Sequence, residues 1–309
     1  RKVCRTPAGT ELDESGIRVL RFAADGQSHV CSRGRYRARA CADLQDLISR
    51  KGMLGIMNGA DVTEWSPVND KFLPKRYDLN SVFDVKPSLK QQLQAEAGFA
   101  ARPEVPLFGF MGRLDEQKGS DILAAAILKL VEELKGEAQF IMLGTGKAQY
   151  EKQLQNLEKR FPEQVRAMTR FSPRLAHMIV AGCDFMVLPS RFEPAGLVQL
   201  HAMLYGTIPV VASTGGFLDS VRDGVTGLHM GKFGPEGGAE EVIKAVEGLK
   251  RAIEVFSTPH FSSMVVAAMS QDLSWKCNFC LFTSASASRT VSRSLRFGFS
   301  DAWWSCSDT

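Results

Sequence analysis

The sequence predicts an α/β protein built on a Rossmann-like parallel sheet with helices on both faces. Two observations carry this. The central third of the chain holds short, continuous apolar runs, the pattern of strands buried on both faces. Between them lie stretches with helical spacing, so strand and helix alternate as βαβ units. The first run, Val105-Pro-Leu-Phe-Gly-Phe-Met111, is closed by Gly112. Leu123, Ile127, Leu130 and Leu134 then recur at helical spacing, with Ser120 as the expected N-cap and Gly136 as the stop. Gln139–Leu143 reads as the second strand, ended by Gly144, and a charged helix is expected over 147–160. Further strands are expected at 165–171, 184–188 and 208–212, and helices at 176–181 and 197–205.

Composition excludes more than it assigns. The chain has 309 residues, 44% of them apolar and 23% charged, which excludes collagen, coiled coil and wholesale disorder. The net charge of +4 comes from cations dispersed among acids, so no nucleic-acid partner is expected. The run Arg33-Gly-Arg35-Tyr-Arg37-Ala-Arg39 is short, lacks interleaved stacking residues and reads as a solvated segment. No apolar run reaches the roughly 20 residues that span a bilayer, so no membrane partner is expected, nor is there a charged-then-apolar leader after Arg1. Seven cysteines, an odd number, argue against a disulfide framework. Cys277-Asn-Phe-Cys280 has zinc or redox spacing but no second pair beside it, so free thiols are expected.

In an open parallel sheet, ligands bind outside the carboxyl ends of the strands. Four loops leave such ends. Gly112-Arg113-Leu-Asp-Glu-Gln-Lys118-Gly119 offers a forked cation, a point cation and a helix start, the donors that a diphosphate takes. Taken singly it is equally a solvated loop. Gly144-Thr145-Gly146-Lys147 is half of a dinucleotide fingerprint, with Gln149 at the third glycine position, and it fails as a P-loop because Ala148 replaces the Ser/Thr. It reads as a tight turn that brings backbone near a ligand. Ser190-Arg-Phe-Glu193-Pro-Ala-Gly-Leu197 sets an acid just ahead of a helix, where it can accept two vicinal sugar hydroxyls or merely cap. Ala212-Ser-Thr214-Gly215-Gly216 feeds hydroxyls and bare N–H groups to a helix start, a cradle for phosphate or sugar oxygens. Each loop alone is a weak signal; together, at successive strand ends, they outline one site.

These loops also carry a resemblance. Residues 55–276 resemble the starch and glycogen synthases, retaining glycosyltransferases with two Rossmann domains, nearest to the granule-bound starch synthases. The match rests on Gly55-Ile-Met-Asn58-Gly59-Ala-Asp61-Val-Thr-Glu-Trp65-Ser-Pro67, Gly112–Gly119, Leu175-Ala-His177-Met178, Ser190-Arg-Phe-Glu193-Pro194, Ala212–Gly216 and Gln271-Asp-Leu-Ser-Trp-Lys276. It implies the C-terminal, donor-binding half of a GT-B enzyme that transfers glucose from ADP-glucose or UDP-glucose to the non-reducing end of an α-1,4-glucan with retention. Arg113, Lys118 and Glu193 would be the catalytic residues, the two cations stabilising the departing diphosphate and Glu193 lying near the donor glucose. Gly112, Gly144, Thr145, Thr214, Gly215 and Gly216 would bind the donor. The family needs no metal and no cofactor, and no carboxylate cluster has metal-ligand spacing. A glucan or starch granule would be the acceptor and a plastid the location. Related transferases carry a second Glu where His201 stands, which leaves the role of His201 open.

The expected organisation is a remnant or unrelated segment over 1–49, the nucleotide-sugar-binding domain over 50–276 and a disordered Ser-rich tail over 277–309. Residues 1–42 and 277–309 are expected to come from a faulty gene model. The family's Lys-x-Gly-Gly-Leu motif of the first domain does not occur in the chain, so the isolated chain is expected to be inactive or nearly so. A nucleotide-sugar or glucan-granule binding module without turnover is the alternative. A nicotinamide dehydrogenase is disfavoured by the broken glycine fingerprint.

Overall fold

A computed structural model describes residues 57–134, 136–234 and 238–275. The basic run at 33–39, the segment 1–49, the Cys277–Cys280 pair and the 277–309 tail lie outside these residues. The strands are β1 (Leu107–Met111), β2 (Gln139–Leu143), β3 (Val165–Met168), β4 (Phe185–Leu188), β5 (Ile208–Val211) and β6 (Leu228–His229). They form one sheet in the order β3-β2-β1-β4-β5-β6, every neighbouring pair parallel. The helices are α1 (Val82–Glu96), α2 (Ser120–Leu134), α3 (Ala148–Arg160), α4 (Pro173–Gly182), α5 (Val198–Leu204), α6 (Gly215–Ser220), α7 (Ala239–Phe256) and α8 (Pro259–Met269).

The order is that of a doubly wound sheet. From β1 the chain steps outward to β2 and β3, then returns to lay β4 on the other side of β1. Right-handed crossovers therefore put α2 and α3 on one face and α4 and α5 on the other. α7 packs against α2, and α1 against α4. The strand side chains explain why both faces must be covered. Phe108 stacks on Phe140 and Phe185 along one face, with ring centroids 5.0 and 5.1 Å apart. On the other face Gly109 lets α4 approach, since a Cβ there would stand 2.8 Å from Ile179 and 2.9 Å from Cys183.

Several expected boundaries move for local reasons. β1 begins at Leu107 and β3 ends at Met168, both shorter than expected. Ser120 is the first residue of α2, and its hydroxyl is buried without a partner among the described residues, so it does not cap the helix. α4 begins three residues earlier than its apolar spacing shows, because Ser172 accepts a bond from Leu175 N and Pro173 sits in the first turn.

The chain ahead of α1 is clasped onto the domain by a buried polar and aromatic cluster. The Trp65 ring lies between two imidazoles, 3.8 Å from His177 and 4.0 Å from His201, nearly parallel to both. Asp70 Oδ2 shares a 2.7 Å hydrogen bond with His177 Nδ1 and accepts another of 2.7 Å from the Tyr205 hydroxyl. His201 is thereby a packing residue of α5. Burial, with His177 beside it, depresses its pKa to about 3, so it stays neutral in this stack. The two ends of the described chain meet where Ala60 N donates to Leu273 O at 2.7 Å.

Candidate active site at the carboxyl ends of β1 and β4

The reversal of strand order opens a crevice between β1 and β4 at their carboxyl ends. A cleft of about 230 Å³ lies there, lined by Lys118, Ser190, Glu193, Leu197, Gln199 and, from the clasped segment, Asn58. Lys118 leaves the loop after β1 and Glu193 the loop after β4. Lys118 Nζ donates to Glu193 Oε2, and Ser190 Oγ donates to the same oxygen at 3.2 Å. The carboxyl side chain is 10% exposed and the lysine 25%, so the pair is nearly closed to solvent yet faces the cleft.

Arg113 stands at the rim. Its side chain is 69% exposed, with one guanidinium nitrogen 3.4 Å from Asp115 and donating to Gln117 Oε1 at 3.2 Å. Its exposure leaves the guanidinium accessible to an anion at the rim. The structure thus brings Lys118 and Glu193 together and leaves Arg113 outside the cleft wall.

The glycines serve chiefly to dock loop on loop. Gly119, at φ +69°, passes so near the loop after β4 that a Cβ would meet Pro189 O at 2.0 Å. Gly215, at φ +45°, allows no Cβ either, since Glu193 O would lie 1.9 Å away. Gly216 N donates to that carbonyl at 2.8 Å, and Thr214 Oγ1 donates to Arg191 O at 3.3 Å. Thr214, Gly215 and Gly216 therefore hold the Glu193 loop from behind. Gly144 likewise packs on Gly112 O. Thr145 is exposed, and its carbonyl accepts from Leu114 N at 3.0 Å. Gly112 differs: a Cβ there would meet nothing nearer than 3.5 Å, although its N–H is spent on Leu143 O at 3.1 Å. The second loop is tied to the first through Lys147, whose ammonium donates to Glu116 at 2.5 Å and pulls that carboxyl down to about 2.

Sequence reasoning missed four residues. Gln199, which lines the cleft, is buried and donates to Ala195 O at 2.8 Å and Gly196 O at 3.1 Å, while its Oε1 has no partner among the described residues. Its position four residues after Ala195, in the first turn of a helix, was the available signal. Gln117 bridges Arg113 and the Phe192 carbonyl. Arg191 was passed over as a neighbour of Glu193. Phe171, just past β3 at the ligand side of the sheet, is 88% exposed, an unusual exposure for a phenylalanine. Among the described residues no group of three His, Cys, Asp or Glu could hold a metal ion, and no helix is long and apolar enough to cross a membrane.

Known proteins share this chain's sequence and fold. The sequence profile of the family described as "Glycosyl transferases group 1" matches residues 94–254, more than half of the chain. The granule-bound starch synthase 1, chloroplastic/amyloplastic, of Manihot esculenta is 49% identical over 237 residues, covering 76% of this chain and 38% of that protein. Its counterpart in Solanum tuberosum is 46% identical over 76% of this chain and 39% of its own length. The chain thus spans about two-fifths of the length of these relatives. Among solved structures, the catalytic domain of starch synthase IV from Arabidopsis thaliana bound to ADP and acarbose superposes with a TM-score of 0.68 at 28% identity, over 80% of this chain and 52% of that one. Sucrose-phosphate synthase from Thermosynechococcus elongatus shares the fold, with a TM-score of 0.53 at 18% identity, over 80% of this chain and 56% of its own. A doubly wound sheet, a paired lysine and glutamate at its switch point and a profile covering most of that sheet converge on one assignment: the chain belongs to the group 1 glycosyl transferases.

Proposed function

We propose that the chain supplies the donor-binding half of a retaining glucosyltransferase of the starch synthase type. It would take ADP-glucose or UDP-glucose and pass glucose to the non-reducing end of an α-1,4-glucan in a plastid, in solution or on a starch granule. The observation that carries this reading is the Lys118–Glu193 pair, contributed by two loops to one cleft at the switch point. Lys118 meets the diphosphate, and Arg113 closes on it from the rim. As the bond from the anomeric carbon to the diphosphate breaks, negative charge grows on the leaving oxygens, and two cations stabilise it with no need of a metal ion. An anion drawing on Lys118 frees the Glu193 carboxylate to accept the hydroxyls of the donor glucose. Gly112, lacking a side chain, leaves room for the phosphates, and the Thr214–Gly216 turn fixes Glu193 from behind. The nearby relatives named as starch synthases, and the ADP in the starch synthase IV structure, support this choice of donor.

The paired charges also separate this site from a nicotinamide site on the same strand order. The glycine turn lies after β2 and packs on the β1 loop, where a dinucleotide fingerprint would follow β1. Because the chain covers only part of its relatives, the first test is binding. In calorimetric titration of the full chain, ADP-glucose binds saturably. Glu193→Gln weakens ADP-glucose about tenfold or more and spares ADP, the loss of a charged hydrogen bond to sugar. Equal weakening of both ligands would remove Glu193 from the sugar. Absence of ADP binding would remove the donor reading. Incorporation of labelled glucose into glycogen then separates a transferase from a binding module without turnover.

A further inference from the structure

We infer that Arg191, braced by Asp121, is a positioning residue that sets the spacing between Lys118 and Glu193. The inference deepens the donor-site reading above and takes its functional meaning from it. Lys118 and Glu193 ride on loops that leave different strands, so the sheet alone does not fix their separation. Cross-loop bonds must do so, and most of them run through one residue. Arg191 N donates to Gln117 O at 2.9 Å, next to Lys118. Its guanidinium donates to Glu116 O at 2.6 Å and forks onto Asp121, with 2.7 Å to Oδ1 and 2.5 Å to Oδ2. Its carbonyl accepts from Thr214 Oγ1. Arg191 lies two residues before Glu193, and Asp121 three residues after Lys118 in the first turn of α2. A single side chain thus bolts the two loops at the flanks of the pair.

Two further observations place Arg191 behind the site. Its side chain is 7% exposed and does not line the cleft, so it acts on the pair through the loops it joins. Yet a buried guanidinium is a costly way to join two surface loops, and apolar packing would serve as well for stability alone. The planar fork adds direction: it fixes angle as well as distance, which a lysine cannot do. Misplacement by about 1 Å is enough to cost a catalytic constellation two orders of magnitude in rate.

The test reads the pair directly, without donor. Trace acetylation of the full chain with acetic anhydride, followed by mass spectrometry of chymotryptic peptides, reports the reactivity of each lysine. Lys152, exposed on α3, serves as the reference, and Lys90, buried on α1, reports global loosening. In the unaltered chain Lys118 is suppressed relative to Lys152. Glu193→Gln raises Lys118 several-fold and defines the fully unpaired level. Arg191→Lys keeps the charge but loses the fork, and it raises Lys118 most of the way to that level while Lys90 stays unreactive. Asp121→Asn, which preserves shape, raises it in part and carries the test where Arg191→Lys fails to fold. Adding Arg191→Lys to Glu193→Gln raises Lys118 no further. Lys118 as suppressed in Arg191→Lys and Asp121→Asn as in the unaltered chain overturns the inference. So does a rise of Lys90 in step with Lys118, or full additivity in the double variant. A separate arm adds ADP to the unaltered chain: failure to protect Lys118 sinks the donor reading and leaves the positioning result to the other arms.

Discussion

The sheet carries a lysine–carboxylate pair at each end of the β1–β4 seam, and the two are built for opposite ends. At the amino ends, Asp184 immediately precedes β4 and accepts from Lys90 Nζ at 2.7 Å and from Leu107 N at 2.8 Å. Lys90 also donates to Pro103 O at 3.0 Å and lies over the Phe256 ring. Both side chains are buried, at 5% and 10% exposure. Lys86 beside them donates to Ala181 O at 2.8 Å and Thr207 Oγ1 at 2.6 Å. At the carboxyl ends, Lys118 and Glu193 have Ser190 and each other, and one side open to a cleft. The closed cluster is tied on several sides by the protein itself and holds the fold. The open pair is left with capacity for a ligand. Burial of charge alone does not mark a site; unfinished pairing beside a cleft does.

That comparison can be broken most severely at Asp184. Asp184→Ala strands Lys90 in the interior and removes the counterion beside Lys86, so urea unfolding should show a loss of about 3–5 kcal/mol. An effect below about 1 kcal/mol would mean that the amino-end cluster is not the structural one.

The next effects are in pH. Burial depresses Lys86 to about 8, against an ordinary lysine near 10.5. Between those values the unfolded chain binds a proton that the folded chain refuses. Stability therefore rises with pH from about 8 to about 10.5, by up to ~1.4 kcal/mol per unit, and the full penalty stands below 8. Lys86→Met should flatten that slope; an unchanged slope would assign it elsewhere. His201, depressed to about 3, acts in the same sense at lower pH: its penalty grows as pH falls from about 6.5 toward 3. His201→Phe keeps a ring on Trp65 and should reduce the acid lability, read as the pH dependence of the unfolding midpoint.

The smallest stability effect belongs to the open pair. Lys118 is a quarter exposed, and removing it should cost less than about 1 kcal/mol. A cost like that of Asp184→Ala would erase the distinction between the two clusters.

What was legible in the sequence follows the same division. The strands β1, β2, β4 and β5 are continuous apolar runs and were readable within a few residues. α1 was not, because its buried face carries Lys86, Lys90 and Gln94 among its leucines and valines, and the two lysines build the amino-end cluster. β6, two residues long, has no period to read. In the site, Lys118 and Glu193 were visible as loop residues after strands, but their pairing spans 75 positions. The glycine pairs were visible too, yet their purpose of docking one loop on another depends on which strands are neighbours. For the same reason the Arg191–Asp121 bolt and the Trp65 stack between His177 and His201 left no local signal.

The central claim is that the carboxyl-end pair is a ligand pair. It is tested most directly by the shift in thermal midpoint that ADP induces in the full chain and in Lys118→Ala. Saturating ADP, at about 100 times its dissociation constant, should stabilise the unaltered chain by ~2.7 kcal/mol, a rise of several degrees. Lys118→Ala should melt within a degree or two of the unaltered chain without ADP, and gain little or nothing with it. An equal ADP-induced rise in both proteins, or none in either, would contradict the account.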